Sequence, residues 1–369
     1  MAPKMRARIL LGIGFFSLVY WALPRGAHSD GFHQITSVPL PPLGFLTDTT
    51  DRSKKHAEYY TSKAIQEFCA AHGYSVFTPR RERRVYDLVM VNSELDFLEI
   101  RLNTLYDYVD YFIIVEAPKT FQNATKPLII KENWENFGRY HDKMIYHELT
   151  YPATFNPSRA WDYEDLQRDA TYDQVMTRLE GARAPLPMDV IIVADVDEIP
   201  RPQSLLVLRS CNYPRRLTLA SIFYYYSFQF LHTGPEWPHP QATYYEGSNT
   251  LKPTNLRNGD GGFPLFRDRE KGMLNNAGWH CSSCFATIEQ FLNKMASFSH
   301  GWMNAEEYRG SDKIADAVRE GRDLWGRAHD TFTRIEGNID MPPLVMKEKE
   351  RFQYMTNRDG LSAGFIDYP

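Results

Sequence analysis

Excess positive charge is missing from this chain. Its formal net charge is −4 over 369 residues with a pI near 6.3, a balance that argues against nucleic acid as a partner. Cysteine is sparse: Cys69, Cys211, Cys281 and Cys284 are all there are. One C-x-x-C pair without a second does not make a four-ligand zinc site. Nor do His and Asp cluster as a metal-dependent phosphodiesterase requires, and no internal repeat is present. Aromatic residues, in contrast, reach 14%, with 22 Tyr, 22 Phe and 7 Trp. Flat rings fill cores, and they also cover the apolar face of a pyranose.

The N-terminus carries a topological signal. Lys4, Arg6 and Arg8 precede an uncharged run, Ile9–Leu23, closed by Pro24 and Arg25. A basic flank before an apolar run holds that end in the cytosol and sends the remainder across. Fifteen helical residues reach roughly 22 Å, short of a hydrocarbon core of about 30 Å. The run is therefore either a cleaved signal peptide or a short signal anchor for a thin bilayer. Ala22-Leu23-Pro24-Arg25 makes a poor cleavage site, which favours the anchor. Four cysteines and the sequon Asn123-Ala124-Thr125 agree with a lumenal, oxidising location. Residues 25–78 read as stem and linker, 79–345 as the main domain and 346–369 as a polar C-terminal tail.

Past Val85 the pattern becomes α/β. Asp87–Val91 and Tyr111–Val115 are short apolar runs read as buried strands. Between them Ser93 is placed to cap a helix, with Leu95, Leu98, Leu102 and Leu105 at helical spacing. Strand, helix and strand make a βαβ unit, and hence a parallel sheet. A long helix is expected over Arg159–Leu179, with Trp161, Tyr172, Val175, Met176 and Leu179 inward. The most strand-like segment is Asp189–Ala194. Asn275–Phe285 reads as a loop, and a further helix is expected from Asn304 to Trp325.

Asp195-Val196-Asp197-Glu198 follows that strand directly. Carboxylates beside a core are costly unless a cation or strong donors compensate them, and ligands of open α/β sheets bind beyond the carboxyl ends of the strands. Oxygen ligands suit Mn²⁺ or Mg²⁺, so Asp195 and Asp197 are candidate metal ligands, and His300 is a third. An acidic strand end that merely caps the next turn is the plainer alternative. Trp279 and His280 adjoin the C-x-x-C pair, which either closes on itself or pairs with Cys69 or Cys211, and they are candidates to face a ligand. Asn92, Glu94 and Glu116 lie at strand ends, where they either contact ligand or cap the next helix. Arg168 stands four residues after Glu164, spacing that an ordinary helical ion pair explains, and it is also a candidate diphosphate contact.

The segments VYDLVMVNSELDFLEIRLNTLYDYVDYFIIVEA, ADVDEIPRP and AGWHCSSCF resemble, in order and spacing, the glycosyltransferase family 17 domain, the family of β-1,4-mannosyl-glycoprotein 4-β-N-acetylglucosaminyltransferase. The resemblance runs from about Val85 to Tyr354. It implies a GT-A-like, Rossmann-type fold with a mostly parallel sheet, UDP-GlcNAc as donor, a divalent metal, inversion at the anomeric carbon and a glycan or glycoprotein acceptor. Residues 79–345 then form the catalytic domain of a single-pass type II protein of the Golgi membrane. Asn92, Glu94, Asp195, Arg168, His280 and Trp279 become donor-site candidates, while Glu198, Asp197 and Glu116 are candidates for the chemistry, with Glu198, Glu116 or an acid of the 230–262 loop (Glu236, Glu246, Asp260) as base. A lumenal carbohydrate-binding protein that keeps the fold without catalysis is the alternative.

Overall fold

A computed structural model describes residues 63–78 and 81–369. The signal anchor and most of the stem lie outside the described residues. Among those described, no helix is long and apolar enough to cross a membrane. In chain order the strands are β1 (Ser75–Val76), β2 (Val85–Val91), β3 (Tyr111–Glu116), β4 (Met144–Glu148), β5 (Val190–Asp195), β6 (Glu198–Pro200), β7 (Cys211–Asn212), β8 (Arg216–Tyr225), β9 (Ser227–His232), β10 (Gln241–Tyr244), β11 (Lys271–Ser282) and β12 (Phe332–Arg334).

β2, β3 and β5 are buried almost throughout, as runs such as Val-Ile-Ile-Val-Ala require of strands covered on both faces. The helix Leu95–Leu105 links β2 to β3 in the expected βαβ unit. Parallel pairing, however, is confined mainly to β4-β3-β2-β5. Beyond β5 the order β10-β8-β9-β12 is antiparallel, and β11 runs parallel to β8 and antiparallel to β6. The sheet is therefore mixed, not mostly parallel. Parallel neighbours need a long crossover, whereas the chain after Asp195 reverses through short links. β8 and β9, for instance, are separated by Tyr226 alone, at φ 64°.

Several local expectations change. Leu95–Leu105 has Glu94, not Ser93, at its N-terminal boundary, and the Ser93 hydroxyl makes no hydrogen bond. The helix expected over Arg159–Leu179 is α-helical only over Ala160–Ala170, then widens into a π-helical turn, Thr171–Val175, and tightens over Met176–Arg178. Tyr172, Val175 and Met176 face the core, but Trp161 is exposed. Asn275–Ser282 is strand rather than loop, because β11 is sandwiched between β6 and β8. The later helix is only Ser311–Glu320, ended by Gly321 in the left-handed region at φ 61°.

Two buried clusters flank the sheet. One joins Tyr86, Ile113 and Ile191 to Ala170 and Met176; the other gathers Tyr226, Phe230, Phe291, Val318 and Phe365. Residues beyond 345 belong to the second: Ala363 and Phe365 are buried, and Arg358 is fully enclosed. The Arg358 guanidinium donates to the carbonyls of Tyr226, Phe285 and Ala363, so a segment that reads as polar is anchored by its charged residue. Cys69 bonds Cys211, tying the helix Lys63–Ala71 to the end of the helix Pro202–Ser210, and Cys281 bonds Cys284.

Candidate functional site

The carboxyl ends of β2 and β5 open onto a cavity of about 310 Å³. Its walls include Asn92, Glu94, Asp195, Asp197, His280 and His300 from among the residues singled out in the sequence. Glu116, Arg168, Glu198 and Trp279 are not on that wall.

Each exclusion has a local cause. Glu116 is enclosed and accepts hydrogen bonds from the backbone N–H groups of Ile130 and Lys131 and from the Tyr146 hydroxyl, so it caps the chain beyond β3. Trp279 and His280 are neighbours on β11 and so point to opposite faces. Trp279 turns away, donating to Asp340 beneath the Arg201 guanidinium. His280 turns inward and packs against both Phe223 and Trp237, at ring separations of 5.0 and 4.9 Å, while those two rings touch each other at 5.5 Å.

The two-residue turn Val196–Asp197 joins β5 to β6 and is clamped from three sides. Arg101, itself paired to buried Asp87 at 2.6 and 2.7 Å, donates to the carbonyls of Glu198 and Asp195. Arg168 reaches Asp195 Oδ1 at 2.8 Å and Glu164 at 2.6 Å, confirming the i,i+4 pair. Arg257 bridges Asp195 Oδ2 and both Glu198 oxygens at 2.7–2.8 Å. Trp237 Nε1 and the Asp195 N–H complete the Glu198 carboxylate. With every strong acceptor direction filled, Glu198 is a structural anchor and a poor proton acceptor.

These contacts split the acids electrostatically. Burial works to raise the Asp195 and Glu198 carboxyls, but the guanidiniums outweigh it and hold both below the usual carboxylate range, Glu198 well below. Asp197 moves the other way. Burial pushes its carboxyl up, and His280 and Lys294 offset this only in part. Its nearest cationic or imidazole nitrogen is His280 Nδ1 at 3.7 Å. Environments that drive adjacent carboxyls apart assign them different tasks.

Among the described residues, no group of three or more His, Cys, Asp or Glu side chains forms a metal cage. Asp195 is committed to two arginines, and His300 sits against the rings of Trp161 and Phe298. A closed protein-only site does not fit. A hard cation that takes one carboxylate and completes its shell with phosphate oxygens and water does fit Asp197.

Sequence reasoning missed several cavity residues. Lys294 Nζ binds Glu94 at 2.8 Å, while Asn92 Nδ2 donates to Ser297. Glu94 also accepts the backbone N–H groups of Asn92 and Ser93, and with Lys294 these outweigh burial and lower its carboxyl. Lys294 lies in an amphipathic helix, Ile288–Ser297, where one lysine reads as solvent-facing. Trp237, Phe223, Arg327 and Asp330 carried no motif.

The chain is 26% identical over 303 residues to human β-1,4-mannosyl-glycoprotein 4-β-N-acetylglucosaminyltransferase, covering 74% of this chain and 55% of the relative. The Rattus norvegicus and Mus musculus proteins of that name match over the same length at 26% and 25% identity. The chain thus spans about half the length of the curated relatives it matches. The glycosyltransferase family 17 model matches residues 32–357, which takes in nearly all the elements described above, and the chain belongs to that family.

Proposed function

We propose that this chain transfers N-acetylglucosamine from UDP-GlcNAc, with inversion, to a mannose of an N-glycan core in β-1,4 linkage, assisted by a divalent metal. The observation that carries the reading is Asp197, the one acid of its turn not ion-paired to arginine, facing a cavity at the carboxyl edge of the parallel strands. The activity in the names of the relatives supports the donor and acceptor classes.

When bound, Mn²⁺ or Mg²⁺ supplies charge neutralisation for the departing diphosphate, and Asp197 is the residue that would hold it. The protein supplies the rest. Arg101, Arg168 and Arg257 fix the turn before substrate arrives, which limits reorganisation during reaction. Lys294 brings a cation to the wall beside Asp197. The Phe223, His280 and Trp237 rings, in mutual contact, offer an aromatic wall to a sugar. Two disulfides and an exposed Asn123 in its sequon support a lumenal domain, in keeping with anchorage at the Golgi membrane.

Asp197→Asn tests the reading. Mn²⁺-dependent turnover of UDP-GlcNAc is expected to fall by about 100-fold or more, as when a group acting on the transition state is removed. Turnover near the wild-type rate would refute the role of Asp197.

A further inference from the structure

The reaction needs a group to take the acceptor hydroxyl proton, and neither Glu198 nor Glu116 faces the cavity. We infer that Asp330 is that base, an assignment that rests on the transferase reading above. Among the described residues, five carboxylates line the cavity: Glu94, Glu164, Asp195, Asp197 and Asp330. Three are fully committed. Glu94 is held by Lys294 and two backbone N–H groups. Glu164 is held by Arg168 and the Ser299 hydroxyl, and Asp195 by two arginines. Asp197 and Asp330 remain.

Asp330 pairs through Oδ2 with Arg327 Nη1 at 2.8 Å. Its Oδ1 accepts no hydrogen bond and has His232 Nε2 at 3.5 Å. The side chain is 24% exposed, so an acceptor entering from solvent reaches it. An aromatic wall separates it from Asp197. His280 lies beside Asp197, Phe223 stacks on His280 at 5.0 Å, and His232 follows Phe223 at 4.9 Å, next to Asp330. The wall sets the diphosphate of a bound donor at Asp197 and the incoming acceptor hydroxyl at Asp330. Inversion requires that hydroxyl to reach the anomeric carbon from the side opposite the departing phosphate oxygen, so the base belongs across that carbon from Asp197.

In the step, the acceptor oxygen bonds to the anomeric carbon as Asp330 Oδ1 takes its proton. The bond from that carbon to the phosphate oxygen breaks, and its electron pair leaves on the diphosphate. Protonated Asp330 then returns the proton to solvent.

The test uses the full chain with Mn²⁺, titrating UDP and measuring transfer from UDP-GlcNAc to a mannose-bearing N-glycan. Asp330→Asn is expected to keep UDP affinity within about threefold while transfer falls by about 100-fold or more, the scale of lost general-base catalysis. Asp330→Glu, which keeps the carboxylate, is expected to recover part of that loss. If the Asn variant does not fold, Arg327→Lys/Asp330→Asn, which keeps a cation beside the buried Asp323 carboxylate, is expected to show the same split. Transfer by either Asn-bearing variant within about threefold of wild type overturns the assignment, since a lost base costs far more. A wild-type chain that transfers no sugar from UDP-GlcNAc would instead overturn the parent reading.

Discussion

Arg257→Met is the most informative single perturbation of this fold. The guanidinium joins Asp195 on β5 to Glu198 on β6 through three short bonds, with its own side chain 10% exposed and that of Glu198 fully enclosed. Removing it leaves two carboxylates near each other. Asp195 keeps Arg168, but Glu198 keeps only the Trp237 and Asp195 N–H donors. Removing one partner of a buried pair costs about 3–5 kcal/mol because the remaining charge is stranded. For a domain of this size that lowers the melting temperature by on the order of 10 °C. A double-mutant cycle with Glu198→Gln separates stranded charge from lost packing. The neutral amide removes the charge that Arg257 compensates, so the double variant should be more stable than the summed single losses allow, by about 1–3 kcal/mol. Melting followed by calorimetry on the four proteins reads this directly. If the two losses add to within about 0.5 kcal/mol, Arg257 acts as packing and the clamp reasoning fails.

His239 makes stability depend on pH. Burial, reinforced by Arg257, pushes its imidazole down from 6.5 to about 4. The folded state therefore favours the neutral ring. That stability is fully present above the unfolded value of 6.5 and is lost as pH falls toward 4. Complete titration is worth up to about 3 kcal/mol. His239→Asn should flatten the melting-temperature profile over that window, and an equally steep profile would contradict it. Gly278 lies where β11 passes β6, and a Cβ there would meet Ser221 Oγ at 2.6 Å and the Ile199 carbonyl at 2.8 Å. Gly278→Ala should cost about 1–3 kcal/mol through overpacking and weaken UDP binding by shifting β6. Ser221→Ala should fail to restore either property, because the carbonyl contact remains.

What could be read from the sequence follows interaction range. Val-Ile-Ile-Val-Ala followed by acids marked a buried strand with a polar end, because both signals are local. The βαβ unit was legible for the same reason, and the Glu164–Arg168 pair followed from helical spacing. The site's supporting groups were not. Arg257 lies 59 residues from Glu198, and Lys294 lies 200 from Glu94. No periodicity encodes such meetings, so nothing local distinguished Asp195, which two arginines hold, from Asp197, which faces the cavity. Trp279 turns away from the cavity that His280 faces, for a subtler reason. Gly278, Asn276 and the C-x-x-C pair suggested a loop, and a loop carries no period. Once the segment is seen as strand, alternation alone sends the two rings to opposite faces.

The position of Arg358 and Phe365 bears on biosynthesis. The second cluster, which backs the aromatic side of the cavity, takes buried Ala363 and Phe365 as members, and Arg358 collects three carbonyls from its periphery. While those residues are still being made, Tyr226 and Phe285 keep unsatisfied carbonyls and Phe291 lacks part of its cover. The parallel half of the sheet, complete by Asp195, can settle as it emerges, whereas the half carrying Phe223, His280 and Asp330 must wait for residues 358–365. A chain that stalls before residue 358 would thus present the Asp197 turn already formed against an aromatic wall still open, a partly built species for chaperones to recognise.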